Sequence, residues 1–479
     1  MVEKNKIAKG FAWTSITQCA NVLFKFLSLI ILSRILAPKE YGLLSIIMIF
    51  IEVGYMICDS GMGGSLVKKE ECRHIDYDTL FVYNIVVCVC IYAILWFSAP
   101  FIADIYNEDV LTPLIRVASL LIIIQTLYVP QYIHILKNLD FKSIAIATIV
   151  ASAGGLGIAV AMAYNGWRVW SLIGQFIAES LFFLFYYGIK TRYIPRLHFS
   201  KESFREQFSF GINLLGANLL NTISNNIYNN VVAKVVNLRS AGYFVQAIRI
   251  QNLPVSVTNG VIDRALFPIL SKCNDPKEFE AIYFRVYGII LMSICFLTAF
   301  ISVFSTDLVT CFLGDQWYEA ASILSVLSIS IVPLTIQTIC RNALKSQGKT
   351  FAILKNQVVK TIILIGALLL ASIFGFWYIV VGIVLAHFIV ALSILKMTSG
   401  LVALTLSRHF SILLPFVLWC IISTAIPFAL SWLLPDFNVF VRVVLCLLLS
   451  AAIYFTGLCV SKNSSFIYIF DLFVKKLKR

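Results

Sequence analysis

The sequence predicts an all-α integral membrane protein of about fourteen transmembrane helices, and three observations carry that expectation. Of the 479 residues, 60% are hydrophobic and only 13% are charged, a balance outside the range of soluble domains. Apolar runs of about 20 residues, enough to cross a hydrocarbon core of about 30 Å, recur along the whole chain. Lys and Arg are concentrated in alternate loops instead of being spread evenly.

Taken in order, the apolar runs begin near residues 11, 41, 79, 112, 143, 167, 208, 241, 283, 318, 351, 376, 411 and 439. The first, from Phe11 to Leu36, is too long for a signal-peptide core and has no small-residue cleavage pattern, so it reads as the first helix of the mature chain. The net charge is +14. With the N-terminus inside, about 27 basic residues fall in inner loops and tails against about 5 in outer ones, which places both termini in the cytoplasm. The basicity is therefore topological, with membrane lipid headgroups and not nucleic acid as its partner. Most of the twelve cysteines fall inside apolar runs, without the clustered spacing of a zinc site or a disulfide framework.

The stretch LSRILAPKEYG (Leu32 to Gly42) has an echo two hundred residues later in VAKVVNLRSAG (Val232 to Gly242), where Arg34 aligns with Lys234, Lys39 with Arg239 and Gly42 with Gly242. Each copy joins the first two helices of what reads as a six-helix half. An even number of helices per half implies repeats of the same orientation, a plan common among transporters. The resulting organisation is a first lobe over residues 1–190, a basic linker over 191–207, a second lobe over 208–397, two further helices over 398–461 and a basic tail over 462–479.

FAWTSITQCANVLFKFLSLIILSRILAPKEYGLLSI, followed by DSGMGGSLVKKE, resembles the start of Wzx-type polysaccharide flippases, in the polysaccharide-transport branch of the MATE-like superfamily. AGYFVQAIRIQNLPVSVTNGVIDRALFPILSK and FLGDQWYEAASILSVLSI extend the resemblance across most of residues 8 to 360. It implies a MATE-like pair of six-helix lobes around a central cavity, working by alternating access. It further implies transfer of an undecaprenyl-diphosphate-linked glycan from the inner to the outer leaflet of a bacterial cytoplasmic membrane, for O-antigen, capsule or exopolysaccharide synthesis, with polymerase or export machinery as possible partners.

A diphosphate and a string of hydroxyls need a shielded polar path, so the informative residues are polar ones at mid-membrane depth. Helix seven carries Asn218, Asn221, Asn225 and Asn229 at helical spacing, with Asn226 and Asn230 beside them. Amides suit sugar hydroxyls, although the same stripe also suits interhelical hydrogen bonding. Lys25 and Arg249 come from different lobes and are placed to clamp a diphosphate; Lys360 and Arg116 are further cationic candidates for the cavity, Arg116 with a competing reading as a headgroup anchor. Glu52 and Glu179 are placed to couple transport to H+ or Na+, or to pair with a cation such as Lys25. Asp59, Asp263 and Arg264 lie near the inner end and read as gate candidates.

No resident cofactor or metal is expected. ALKSQGKT (Ala343 to Thr350) ends like a phosphate-binding loop, but Ala343 stands where the first glycine belongs and no strand precedes it. Two alternatives remain: a cation-coupled drug antiporter of the same fold, which would want an acid-rich aromatic cavity, and a membrane-bound polymerase or acyltransferase. The second would want a large outer loop or a convergent His/Asp/Arg set, and the outer loops are short and free of histidine.

Overall fold

Helix boundaries fall where the sequence supplies breakers and caps. In the computed structural model the described residues are 2–69, 71–193, 195–273, 275–402, 404–431, 437–463 and 465–468; the side chains of 2–9, 11, 210, 213, 214, 217, 218, 221, 225, 264, 265, 350, 401 and 402 are outside the description. Among these residues the secondary structure is helical, with no strand.

The first half begins with α1 (Val2–Ile35), α2 (Pro38–Asp59), the short α3 (Met62–Lys68), α4 (His74–Tyr106), α5 (Leu111–Ala118) and α6 (Leu120–Lys137). α7 (Phe141–Tyr164), α8 (Val169–Thr191), α9 (Lys201–Val235) and α10 (Leu238–Val261) follow. A π-helical turn at Ile262–Leu266 leads into α11 (Phe267–Leu270) and α12 (Pro276–Val303). The remainder is α13 (Ser305–Leu313), α14 (Tyr318–Ser328), α15 (Ile331–Ser346), α16 (Thr350–Phe374), α17 (Phe376–Val402), α18 (Leu406–Ser431) and α19 (Val439–Val460).

Pro38 opens α2, where a missing N–H costs nothing, and the Glu40 carboxylate accepts the Ala37 N–H at 2.7 Å. Asp140 caps α7 by accepting from Ser143 N at 3.1 Å. Ser60 and Gly61 end α2 in the left-handed region, at φ 45° and 71°.

The protein is a multi-pass membrane protein. Among the described residues, eleven helices are long and apolar enough to cross a bilayer, and a twelfth span forms if the pair Asp315–Ser328 and Ile331–Ser346, bent by 43°, counts as one. The expected fourteen is thus only partly recovered. The two remaining expected spans are α9 and α10, helices of 35 and 24 residues that are long enough but too polar to pass a test of apolarity.

The chain forms two compact units, Met1–Val245 and Gln246–Arg479. The boundary falls inside α10, whereas the sequence puts the linker at 191–207. In unit 1, α7 packs on α1 and α8, α6 on α4 and α8, and α9 along α2, α3 and α4. The linker does not hang free: buried Asp78 (3% exposed) accepts from Tyr193 Oη at 2.6 Å and from Arg196 N at 2.9 Å. Fully buried Asp76 accepts from Ser203 Oγ at 2.6 Å, at the start of α9. Burial and the hydrogen bond to Asp78 push the Tyr193 phenol above its ordinary pKa.

In unit 2, α12 packs on α14, α15 and α18, and α17 on α14, α15 and α16. The two helices that read as an appendix, α18 and α19, belong to its core: Phe416, Cys420, Tyr454 and Leu458 are buried with α12, and Tyr454 Oη donates to Met292 O at 2.9 Å.

The repeated motif is explained inside unit 1. A Cβ built on Gly42 would run into the Leu238 carbonyl oxygen, and one on Gly242 into the Pro38 carbonyl oxygen. The beginnings of α2 and α10 therefore meet backbone to backbone, each copy of the motif supplying the glycine that admits the other. At the other end of α2, Gly61 and Gly211 exclude side chains against one another in the same way. α2 is pinned at both ends against the second hairpin.

Gly242→Ala is expected to lower stability by about 1–3 kcal/mol through overpacking, read as a lower melting temperature of the detergent-solubilised protein. Gly216→Ala, where an added Cβ meets nothing within 4 Å, is the control and is expected to be neutral or slightly stabilising. Equal melting temperatures for the two variants would remove the close approach from this account.

Candidate functional site

Two pinned ends determine what lies between them. Glu52 sits midway between Gly42 and Gly61 on α2, and Asn226 midway between Gly211 and Gly242 on the opposing hairpin. Asn226 Nδ2 donates to Glu52 Oε2 at 2.6 Å and to Thr222 O at 3.0 Å. One helical turn further, Asn230 Nδ2 reaches Asn226 O at 3.3 Å, and Tyr106 Oη on α4 donates to Asn230 Oδ1 at 3.4 Å. A cavity of about 430 Å³ opens beside this ladder, lined mainly by apolar side chains of α2 and α4, with Tyr106 and Asn230 as its polar end.

A second strand of polar groups runs between α1 and α8. Ser28 Oγ donates to Gln175 Oε1 at 3.1 Å, and Gln175 Nε2 donates to Glu179 Oε1 at 3.0 Å. Lys25, three residues before Ser28, interacts electrostatically with both Glu52 and Glu179, without a direct ion pair to either among the described residues. A single Lys side chain, exposed on α1, is thus within electrostatic reach of two half-buried acidic side chains on α2 and α8.

The structure therefore brings Lys25, Glu52, Glu179, Asn226 and Asn230 from the sequence expectation into these contacts, and adds Gln175, Ser28 and Tyr106. Gln175 was legible in principle, since it stands four residues before Glu179 on one helical face. Of the amide stripe, Asn229 has a buried Oδ1 without a partner, while the side chains of Asn218, Asn221 and Asn225 lie outside the described residues.

Other expected residues stand elsewhere. Arg116 donates from Nε to Trp96 O at 3.3 Å and covers the Trp96 ring at 4.6 Å, the posture of an interfacial anchor. Asp59 accepts the backbone N–H groups of Gly61 and Gly63 and so closes the turn after α2. Arg249 is half-buried on the part of α10 that belongs to unit 2, so the expected partners Lys25 and Arg249 are divided between the two units. Lys360 is buried in unit 2. Asp263, exposed in the π-helical turn, accepts from Asn342 Nδ2 at 2.8 Å, and the side chain of Arg264 lies outside the described residues.

Asn226→Leu is expected to cost about 1–3 kcal/mol by leaving the Glu52 carboxylate without its amide donor. In a Glu52→Gln background the same change should cost less, with a coupling of about 0.5–3 kcal/mol in a double-mutant cycle. Strict additivity in detergent unfolding would show that the two groups do not act on each other.

Three comparisons bear on identity. The chain is 24% identical over 383 residues to the lipopolysaccharide biosynthesis protein WzxC of Escherichia coli (strain K12), covering 77% of this chain and 76% of that protein. Its fold is similar to that of the lipid II flippase MurJ in an inward closed conformation, with a TM-score of 0.77 at 15% identity over 97% of this chain and 100% of that one. It is similar in fold to an inward-facing multidrug resistance MATE family transporter of the MOP superfamily, with a TM-score of 0.58 at 14% identity over 82% of this chain and 98% of that one. A family model described as polysaccharide biosynthesis protein matches residues 31–322, more than half of the sequence, and the chain belongs to that family.

Proposed function

We propose that the protein is a flippase for a polyprenyl-diphosphate-linked saccharide, the undecaprenyl-linked repeat unit of an O-antigen, capsule or exopolysaccharide, and carries it from the inner to the outer leaflet by alternating access. The carrying observation is the pair of polar contacts between helices, Asn226 to Glu52 and Gln175 to Glu179, with Lys25 on α1 within electrostatic reach of both acids, among helices whose exposed side chains include many large apolar ones. Polar groups at this depth in hydrocarbon are costly unless they serve a path or a partner. Family membership supports a role in polysaccharide synthesis, and the similarity to a lipopolysaccharide biosynthesis protein and, in fold, to a lipid II flippase is consistent with it.

In this reading α9 and α10 complete a set of fourteen spans, and both termini face the cytoplasm by the distribution of Lys and Arg. Lys25, together with Arg249 from the sequence argument, supplies positive charge for the diphosphate. Amides of α9 accept and donate to sugar hydroxyls, as neutral groups can without holding a charged substrate too tightly. Glu52 and Glu179, both within electrostatic reach of Lys25, are the proposed sites of proton or Na+ exchange.

The test is the sidedness of lipid-linked oligosaccharide in cells depleted of the protein and complemented with Lys25→Ala or Arg249→Ala. Build-up on the cytoplasmic face, reproduced by both folded variants with transport reduced at least about tenfold, is the expected result. Normal outer-leaflet delivery with loss of drug efflux would instead favour a cation-coupled antiporter of the same fold.

A further inference from the structure

Unit 2 carries a charged cavity, distinct from the polar contacts of unit 1. α12 packs on α13 and α18, and α19 packs on the same two helices. Where these four helices end or begin, Phe304, Thr306, Asp307, Phe428, Ser431 and Arg442 line a cavity of about 270 Å³. Phe304 belongs to a buried apolar cluster with Phe300, Val443 and Cys446, so the cavity is backed by packed hydrocarbon.

Two opposite charges meet in it. Arg442 Nη2 donates to Asp307 Oδ1, and the two side chains are 19% and 17% exposed. The pair ties α19 to α13 without using up either partner. Arg442 Nε is buried and has no hydrogen-bond acceptor, and a guanidinium has five N–H groups to place. Asp307 is engaged through one oxygen, which leaves its second for another donor. A tie between helices accounts for the ion pair, but for neither the open volume nor the unsatisfied donor beside it.

Position narrows the ligand. Val303 and Ser431 are the last residues of their spans and Arg442 is the fourth of its own, so the cavity lies where hydrocarbon gives way to headgroups. On the same helix ends Phe428, Leu430, Phe440 and Val441 are exposed, an apolar rim suited to acyl chains. A simple cation in the cavity would meet Arg442, and a simple anion would meet Asp307. A ligand with both signs a few bonds apart answers both. In phosphoethanolamine, phosphate oxygens can accept from Arg442 Nε while the primary ammonium donates to the free oxygen of Asp307.

We propose that Asp307 and Arg442 form a binding site for the phosphoethanolamine headgroup of a membrane phospholipid, at the ends of α12 and α18 and the beginnings of α13 and α19. The site goes beyond the flippase reading and does not rest on it.

The test is a thermal melt of the full-length protein in detergent, titrated with dioctanoyl phosphatidylethanolamine, phosphatidylcholine or phosphatidylglycerol, and separately with soluble O-phosphoethanolamine. A saturable rise in melting temperature with phosphatidylethanolamine is expected. Half-saturation should be about tenfold weaker with phosphatidylcholine, whose methylated ammonium cannot donate to Asp307, and with phosphatidylglycerol, which has no ammonium. Arg442→Gln should abolish the response, Asp307→Asn should bring the three lipids level, and Arg408→Gln, paired with Glu280 elsewhere in the unit, should change nothing. A rise with O-phosphoethanolamine as well supports recognition of the headgroup alone, and a rise confined to the lipid supports the site with acyl chains as part of the ligand. Equal half-saturation for the three lipids in the parent protein, or a phosphatidylethanolamine response that survives in Arg442→Gln, overturns the proposal. Should Arg442→Gln fail to fold, Asp307→Asn decides, because its amide oxygen can still accept from Arg442 Nη2 and keep the helices tied. An undiminished preference for phosphatidylethanolamine in that variant overturns the proposal equally.

Discussion

The architecture of unit 1 depends on two places where backbone meets backbone with no room for a side chain. Gly42 against Leu238, with Gly242 against Pro38, holds the beginnings of α2 and α10 together, and Gly61 against Gly211 holds the far end. Only a residue without Cβ permits such an approach, and the approach fixes the register of the two hairpins. Register then does the rest: the residues halfway along each side are a glutamate and an asparagine, and they hydrogen-bond at 2.6 Å. An acidic side chain in the middle of an apolar helix acquires its partner from glycines at the two ends of that helix.

The same constraint explains why α9 tolerates its composition. A helix with six asparagines between Asn218 and Asn230 is a poor choice for contact with lipid. Laid along α2 and α4, it gives Asn226 to Glu52 and Asn230 to Tyr106, so part of its polarity is spent inside the unit. The linker enforces this placement from the start of α9, where buried Asp76 and Asp78 hold Tyr193, Arg196 and Ser203 before α9 has completed its first turn.

Much of this was legible in the sequence. Hydropathy and charge placement reveal a multi-pass membrane protein, and the echo of LSRILAPKEYG in VAKVVNLRSAG reveals a repeat, because apolarity and basic loops are one-dimensional signals. That the two copies pack on each other was not legible, since a glycine in a loop motif is compatible with a turn, a cap or a close approach. The polarity of α9 and α10 supported a binding helix and at the same time removed both from a count based on apolarity. Lys25, Glu52 and Glu179 were found as isolated polar residues in apolar runs. Arg116 was legible only as a cation with two readings, because Trp96 stands twenty residues away on another helix, whereas the contact of Asp59 with the Gly61 and Gly63 N–H groups lies at local spacing and was open to a turn reading. Gln175 was missed because glutamine is common enough to pass without notice.

In a flippase, the network around Glu52 and Asn226 lines a path that water and substrate can enter. Asn226→Cys, in a chain whose exposed Cys19, Cys90 and Cys459 are replaced by Ser, tests this with a membrane-impermeant thiol reagent applied to cells and to inverted vesicles. Labelling from at least one side, slowed when lipid-linked oligosaccharide accumulates, is the predicted result. Reaction with lipid-soluble reagents alone would place Asn226 in a sealed contact between helices and contradict the account.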